Sequence, residues 1–230
     1  MTDQDVSAQM AEIAREIQSE GDLTQAGDKI VKLTAGLFDG GTEAAISIAH
    51  RHHRVENGGA TSESARRGDE LQTELHEGPC LDAAWDHEQI YTGDLAHDDR
   101  WPTWGPRMAE EFGITSMLCT QLFTNQAQLG ALNIYSTTPD AFGEEDLETA
   151  RLLAAHVAVA VAAAQEIQGL KFAVDRRTTI GKAIGIVMMK YDLGDDRAFA
   201  VLQRLSQHQN RKLYDVAEEV VRTRGLPSHE

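Results

Sequence analysis

The sequence predicts an α+β domain built on an antiparallel sheet, joined by one long coiled-coil helix to an all-α module of three helices. Three observations lead there. Before residue 143, short segments with strand character alternate with helical stripes. From Glu144 onward, apolar residues recur at alternating spacings of three and four over a stretch far longer than an ordinary helix. Beyond that stretch, three compact apolar faces follow one another, separated by breaks. A chain of 230 residues accommodates a domain of ordinary size plus a small one.

Taken in order, Val6, Met10, Ile13 and Ile17 form the stripe of an N-terminal amphipathic helix within residues 1–21, a stripe that needs a partner to cover it. A second helix runs from Thr24, placed as an N-cap, through Ala26, Ile30, Leu33 and Leu37 to the stop at Asp39-Gly40-Gly41. Residues 44–50 alternate and carry β-branched residues, and after a turn at Asn57-Gly58-Gly59 the stretch GATSES is placed to pair back as a hairpin partner. Residues 65–86 read as irregular to helical, with Pro79 opening a short helix. Residues 89–95 read as a short strand and loop, and 101–113 as a loop and a helix stopped by Gly113. Two strands, 116–124 and 129–136, are joined by a polar connection. In the long helix, Ala150, Leu153, Val157, Ala160, Ala164, Ile167 and Val174 form the seam. Either it is one face of an amphipathic helix on its own sheet, or it is a dimer helix with Leu153, Val157, Ala160, Ala164 and Ile167 at the contact; the dimer helix is the expectation. The last module has faces at Ile180, Ala183, Ile184, Val187 and Met188; at Ala198, Val201, Leu202 and Leu205; and at Leu213, Val216, Ala217 and Val220, with Asp195 and Asn210 placed as N-caps. The organisation is thus 1–21 N-terminal helix, 22–143 α+β domain, 144–175 linking helix and 176–227 helical module.

Composition narrows the function. The net charge of −16 argues against nucleic acid when taken whole, because an acidic body repels phosphate. The charge is not evenly spread. Residues 1–170 carry ten Lys and Arg against twenty-nine Asp and Glu, whereas residues 171–227 carry eleven against seven, a net of +4. Two modules with different partners are implied. No apolar run approaches the roughly 20 residues of a membrane span, and the acidic opening is unlike a signal peptide, so a cytoplasmic protein without a membrane partner is expected. Cys80 and Cys119 lack metal-type spacing and indicate neither a disulfide framework nor a zinc site. No nucleophile elbow, phosphate loop or Cys/His catalytic pairing is present, so no enzyme is expected.

The block Ala183-Ile184-Gly185-Ile186-Val187-Met188, the pair Ala198-Phe199, Leu202, and the run Asn210-Arg211-Lys212-Leu213 to Val216-Ala217 closely resemble the ANTAR domain, an RNA-binding module of bacterial transcription antiterminators. The resemblance covers nearly all of 176–222. Ile184 stands where many relatives carry lysine, leaving Lys182 as the neighbouring base. Upstream, His76-Glu77-Gly78-Pro79-Cys80, Asp94-Leu95, Asp99-Arg100-Trp101-Pro102, the run from Leu129 to Ser136, and Ala141-Phe142 with Glu145-Asp146 resemble a GAF sensor domain of the kind fused to ANTAR in actinobacteria. The resemblance implies a sheet of five or six antiparallel strands, a pocket for a small molecule over one face, terminal helices that form a homodimer, and an RNA target of two adjacent hairpin loops overlapping a terminator.

The residues themselves add chemistry. Arg197 and Arg204 lie seven apart on one helix face near Gln203 and Gln207, and Arg211 and Lys212 are placed in the first turn of the last helix, where backbone N–H groups favour phosphate. Guanidinium and amide groups suit both phosphate and the edges of unpaired bases. With Asn210 and Lys182 these form the candidate RNA-binding set. Tyr214 either stacks on a loop base or packs half-buried against the long helix. Cys80 follows Pro79 at a helix start, where the dipole favours a thiolate, and is a candidate redox or ligand contact with Trp85 and Trp101. His50, His52 and His53 read as surface histidines, and no cofactor is indicated. The expected function is a signal-responsive antiterminator. The rival is a small-molecule or redox sensor acting through protein contact of its helical tail.

Overall fold

Five antiparallel strands make a sheet in the order β2-β1-β5-β4-β3: β1 Glu43–His50, β2 Arg54–Ala60, β3 Gln89–Thr92, β4 Ser116–Phe123 and β5 Gln128–Ser136. The computed structural model describes residues 23–38, 42–50, 54–85, 88–124 and 127–226, except for the side chains of residues 23–26, 84 and 85. The helix expected within residues 1–21 lies outside the described residues. So do His52 and His53. Around the sheet stand α1 Leu23–Ala35, α2 Glu63–Leu75, α3 Pro79–Trp85 and α4 Trp104–Phe112; then come α5 Glu144–Tyr191, α6 Asp195–His208 and α7 Leu213–Thr223. The chain divides into two compact units, residues 1–166 and 167–230.

The sheet is covered on both faces, which explains why the central β5 and its neighbour β4 are buried along nearly their whole length. One face of alternate residues, Ile46, Ile48, Leu118, Leu122, Leu132 and Ile134, packs on Ile30 and Val31 of α1 and on the first part of α5. The other face, with Ala45, Met117, Cys119, Ala131 and Tyr135, packs under α2, α3 and α4, where Trp101, Trp104 and Met108 fill the core. Ser47 and Asn133 are buried on this second face by the same alternation.

The first unit overturns two expectations. The Asn57-Gly58-Gly59 turn is instead the interior of β2, and the ladder slips one residue there, Ile46 facing Gly59 while Ser47 faces Asn57. The glycines serve that bulge and a close helix approach: a Cβ on Gly27 would sit 1.7 Å from the Gly58 carbonyl oxygen. Gly130, at φ +147°, likewise lets β5 approach β1, because a Cβ there would lie 1.8 Å from the Ser47 carbonyl oxygen.

The second correction concerns the seam of α5. Leu153, Val157 and Ala160 are buried in the core beneath their own sheet, with Ala164 packed at its edge, so they are not an exposed dimer contact. Only Ile167 of that set is exposed. Other exposed apolar side chains lie on the same helix: Leu152 and Val159 in the first unit, and Leu170, Phe172 and Val174 in the second. By length and composition α5 would pass for a membrane span, with a window of mean hydropathy 1.5, but 39% of that window is buried inside the protein. Its first part therefore spends much of its apolar surface on the sheet.

In the second unit, the end of α5, α6 and α7 close a small core of Ala183, Val187, Ala198, Leu202, Val216, Ala217 and Val220. The first of the three expected short helices is thus the last part of the 48-residue α5, which continues unbroken to Tyr191. Gly194, not Asp195, is the N-cap of α6, and Lys212, not Asn210, is that of α7. Lys190 Nζ donates to the Arg224 carbonyl at 3.1 Å, satisfying an open acceptor just past α7.

Candidate functional site

The basic candidates of the second unit are mostly solvent-facing. On α6, Ala198 and Leu202 turn into the core, which leaves Arg197, Gln203, Arg204 and Gln207 exposed. Lys182 is exposed on α5, and Asn210 is exposed in the turn before α7, at φ 50°. Helix α7 starts at Leu213, so Lys212 sits at its N-cap and Arg211 precedes it, each two positions earlier relative to the helix than expected. Arg211 is also less available than its neighbours. Its guanidinium donates to Glu219 at 2.5 Å, to Gln209 Oε1 at 3.2 Å and to the Asp215 carbonyl at 3.4 Å, while its own carbonyl accepts from Ser206 at 2.6 Å. It clamps the α6–α7 corner.

Tyr214 takes the second of its two expected roles. It is half-buried, its ring centroid lies 6.5 Å from that of Phe172, and the Arg176 guanidinium lies 4.6 Å from the Phe172 centroid and 5.4 Å from that of Tyr214. Both partners belong to the long helix. A cation between two aromatic faces fixes α7 on α5. The Arg197, Arg204, Lys182 and Lys212 side chains remain as the exposed cationic set.

The first unit holds a different site, a buried polar cluster on the second face of the sheet. Its centre is Asp69, fully buried on α2. Asp69 accepts from Ser47 at 2.7 Å, from Asn57 at 3.1 Å and from Asn133 at 3.4 Å, and Asn133 also donates to Ser47 at 2.7 Å. Burial pushes the Asp69 carboxyl up to about 6, against the pull of these donors. Two polar atoms in the cluster stay unpartnered, Asn133 Oδ1 and the Tyr135 hydroxyl. Both are fully buried, which is where a polar ligand atom would be recognised.

Cys80 lies in this cluster. Its backbone N–H donates to Gln72 Oε1 at 2.7 Å, and Gln72 Nε2 returns a hydrogen bond to the sulfur at 2.8 Å. The run 76–80 explains itself in these terms. His76 caps α2 in the left-handed region, and the Glu77 carboxylate accepts from the Thr103 and Trp104 amides at 2.7 Å each, holding the start of α4. Gly78, at φ +146°, leaves room for Gln72, and Pro79 opens α3. Trp101 is buried and donates from Nε1 to Asp82 at 2.8 Å, so it is a pillar of this core. Trp85 ends α3, and its side chain lies outside the described ones. His50 pairs with Glu56 at 2.9 Å on the surface. No group of three or more His, Cys, Asp and Glu placed to hold a metal occurs among the described residues.

Asp69 and Gln72 escape a reading of the sequence. The one signal for them was Ala65, Gly68 and Leu71 beside them on α2, small or apolar residues at helical spacing that mark a covered face.

Comparison with known proteins identifies the two domains. Residues 6–162 match the GAF domain and residues 168–221 match the ANTAR domain. No curated protein matches the chain. Among solved structures, the GAF domain of an Acinetobacter phosphoenolpyruvate-protein phosphotransferase is 16% identical with a TM-score of 0.53, covering 74% of this chain and 99% of that one. The corresponding domain from Coxiella burnetii is 18% identical with a TM-score of 0.54, covering 71% and 96%. A free methionine-R-sulfoxide reductase from Neisseria meningitidis, in complex with its substrate, is 14% identical with a TM-score of 0.54, covering 72% and 95%. At these identities the likeness is one of fold. The chain belongs to the GAF domain family through residues 6–162 and, with an ANTAR domain at 168–221, has the GAF–ANTAR architecture of a signal-responsive regulator.

Proposed function

We propose that the protein is a cytoplasmic transcription antiterminator whose ANTAR unit binds paired hairpin loops in nascent RNA under control of a small molecule sensed by its GAF unit. The observation that carries this reading is the exposed cationic set Arg197, Arg204, Lys182 and Lys212 within the matched ANTAR domain. Cations on a small helical unit attract the phosphates of a structured loop, and the amides of Gln203, Gln207 and Asn210 suit unpaired base edges. The acidic remainder of the chain repels RNA and confines docking to this face.

The functional form in this reading is a homodimer, paired through apolar side chains that α5 leaves exposed. Val159 is 66% exposed and Leu170 62%, and Ile167, Leu170, Lys171, Val174 and Asp175 line an open groove. These positions replace Leu153, Val157 and Ala160 as the contact. Two linked RNA-binding units gain effective concentration on a two-hairpin site, so a signal that alters their presentation is a sufficient switch.

Filter binding of the full chain at physiological salt tests the reading. A two-hairpin RNA is expected to bind more tightly than a scrambled sequence of equal length. Equal affinity for the two, with and without cell extract as a source of the GAF ligand, overturns it and leaves the tail as a protein-contact surface.

A further inference from the structure

Cys80 and Cys119 are both free and fully buried, and they belong to the same core. A buried thiol is ordinarily an inert small hydrophobe. Three features set this pair apart. First, the Cys80 S–H donates to Asp69 Oδ1 at 3.7 Å, while Gln72 Nε2 donates to its sulfur at 2.8 Å. The thiol thus has an acceptor for its proton and a donor for the charge that deprotonation leaves on sulfur. Second, the Cys119 S–H donates to the Pro79 carbonyl at 3.6 Å, the carbonyl immediately before Cys80, so the β4 side chain is aimed at the first turn of α3. The two thiols are electrostatic neighbours: burial pushes the Cys119 thiol up, and Cys80 adds to that push. Third, the Tyr135 hydroxyl, buried without a partner, lies beside the same sulfur.

We propose that Cys80 and Cys119 form a reversible dithiol–disulfide pair, oxidised by a small hydroperoxide, with Asp69 as the acceptor of the Cys80 proton. Cys80 reacts first, since Cys119 is held protonated. The Cys80 proton passes to Asp69 Oδ1 and the sulfur attacks the terminal peroxide oxygen. The S–O bond forms, the O–O bond breaks, and the departing alkoxide takes the proton back from Asp69 as an alcohol, leaving Cys80 as a sulfenic acid. The Tyr135 hydroxyl is placed to donate to the oxygen on sulfur. Cys119 sulfur then attacks Cys80 sulfur; the S–S bond forms, the S–O bond breaks, and hydroxide leaves with the Cys119 proton as water. Two thiols lose two electrons and the hydroperoxide gains them. Burial selects a small uncharged oxidant over a bulky disulfide. The product ties α3 to β4 across the centre of the second core. This chemistry goes beyond the RNA-binding reading and is read out without RNA.

The test uses full-length reduced protein, freed of reductant and exposed to hydrogen peroxide, followed by thiol titration and intact mass. Both thiols are expected to disappear together with loss of the mass of two hydrogens, reversed by dithiothreitol. Cys119→Ser is expected to stop at a Cys80 sulfenic acid that dimedone captures, and Cys80→Ser to leave Cys119 unreacted over the same interval. Facing Asp69 are Ser47 on β1, Asn57 on β2, Asn133 on β5 and Cys80 on α3, with Glu70 its charged neighbour in sequence and Tyr135 and Cys119 the other titratable groups nearby. The wild-type rate is therefore expected to climb as Asp69 ionises near pH 6 and then level. Asp69→Asn is expected to slow thiol loss at neutral pH by about a hundredfold and to abolish that step in the profile. Thiols that persist at unchanged mass, under peroxide that consumes free cysteine, overturn the proposal. So does a disulfide that forms between two chains, or a wild-type rate without the step near pH 6.

Discussion

Asp69 shows how one buried carboxyl sets a pH dependence opposite to the usual carboxylate one. Its carboxyl is raised to about 6 in the folded protein, from an ordinary value of 3.8. Between these two values the native state holds a proton that the unfolded state has lost, so stability contributed here is full below about pH 4 and falls as pH rises through 6. A rise of that size corresponds to about 3 kcal/mol. Asp98 has the reverse sign: the Arg100 guanidinium and backbone amide hold its carboxyl at about 2, so its contribution is lost only as pH falls below 4. The windows do not overlap. Urea midpoints are expected to decline between about pH 4 and about pH 6 in wild type, and the decline is expected to vanish in Asp69→Asn. Only the covered face of α2 at Ala65, Gly68 and Leu71 hints at Asp69, because its partners Ser47, Asn57, Cys80 and Asn133 come from four other elements. The resemblance run around Asn133 and Cys80 was legible; the carboxyl that joins them was not.

At the level of elements, α5 does two jobs that periodicity alone does not separate. A spacing of three and four shows that a stripe is covered, not what covers it. Leu153, Val157 and Ala160 are covered by the chain's own sheet, as are most positions of the expected seam. The exposed Leu152, Val159 and Leu170 sit on faces that a simple seam would have assigned to water, and Val174, a position of the expected seam, is exposed as well. Leu153→Ala is expected to cost about 2–5 kcal/mol of stability with the subunit count unchanged. Leu170→Glu is expected to do the opposite, lowering the subunit count in sedimentation while leaving the thermal midpoint of the GAF unit in place. If both variants dissociate the protein, or neither does, the assignment of the two faces fails. Strands β1, β3, β4 and β5 were legible to within a few residues, whereas β2, expected to follow a turn at 57–59, instead begins at Arg54. The glycines of β2 were not legible, since Asn-Gly-Gly at a bulge is written with the same letters as a turn.

For the whole molecule, the division of charge remains the clearest long-range message of the sequence. A net charge of −16 hides an ANTAR region with more bases than acids. RNA affinity is expected to fall with salt, and joint replacement of Arg204 and Lys212 by alanine is expected to flatten the slope of log K against log salt by about 1.4, roughly 0.7 for each phosphate left without its cation. An unchanged slope removes these two from the RNA-binding set. Arg211 gives a less clean reading, because its ties to Glu219 and Asp215 make it part of the α6–α7 corner.

The strand order β2-β1-β5-β4-β3 carries a consequence for synthesis. β5, the last strand to be made, occupies the middle of the sheet, and its Asn133 bonds to Ser47 across 86 positions. As the chain leaves the ribosome, β1 and β4 therefore wait with open edges until β5 emerges between them, and closure of the sheet is a late, high-contact-order event. The C-terminal helices, whose contacts are local, need no such wait. A nascent chain of this protein would thus hold its most aggregation-prone surfaces open until residue 136 is free of the exit tunnel, and it is in that interval that a chaperone would find it.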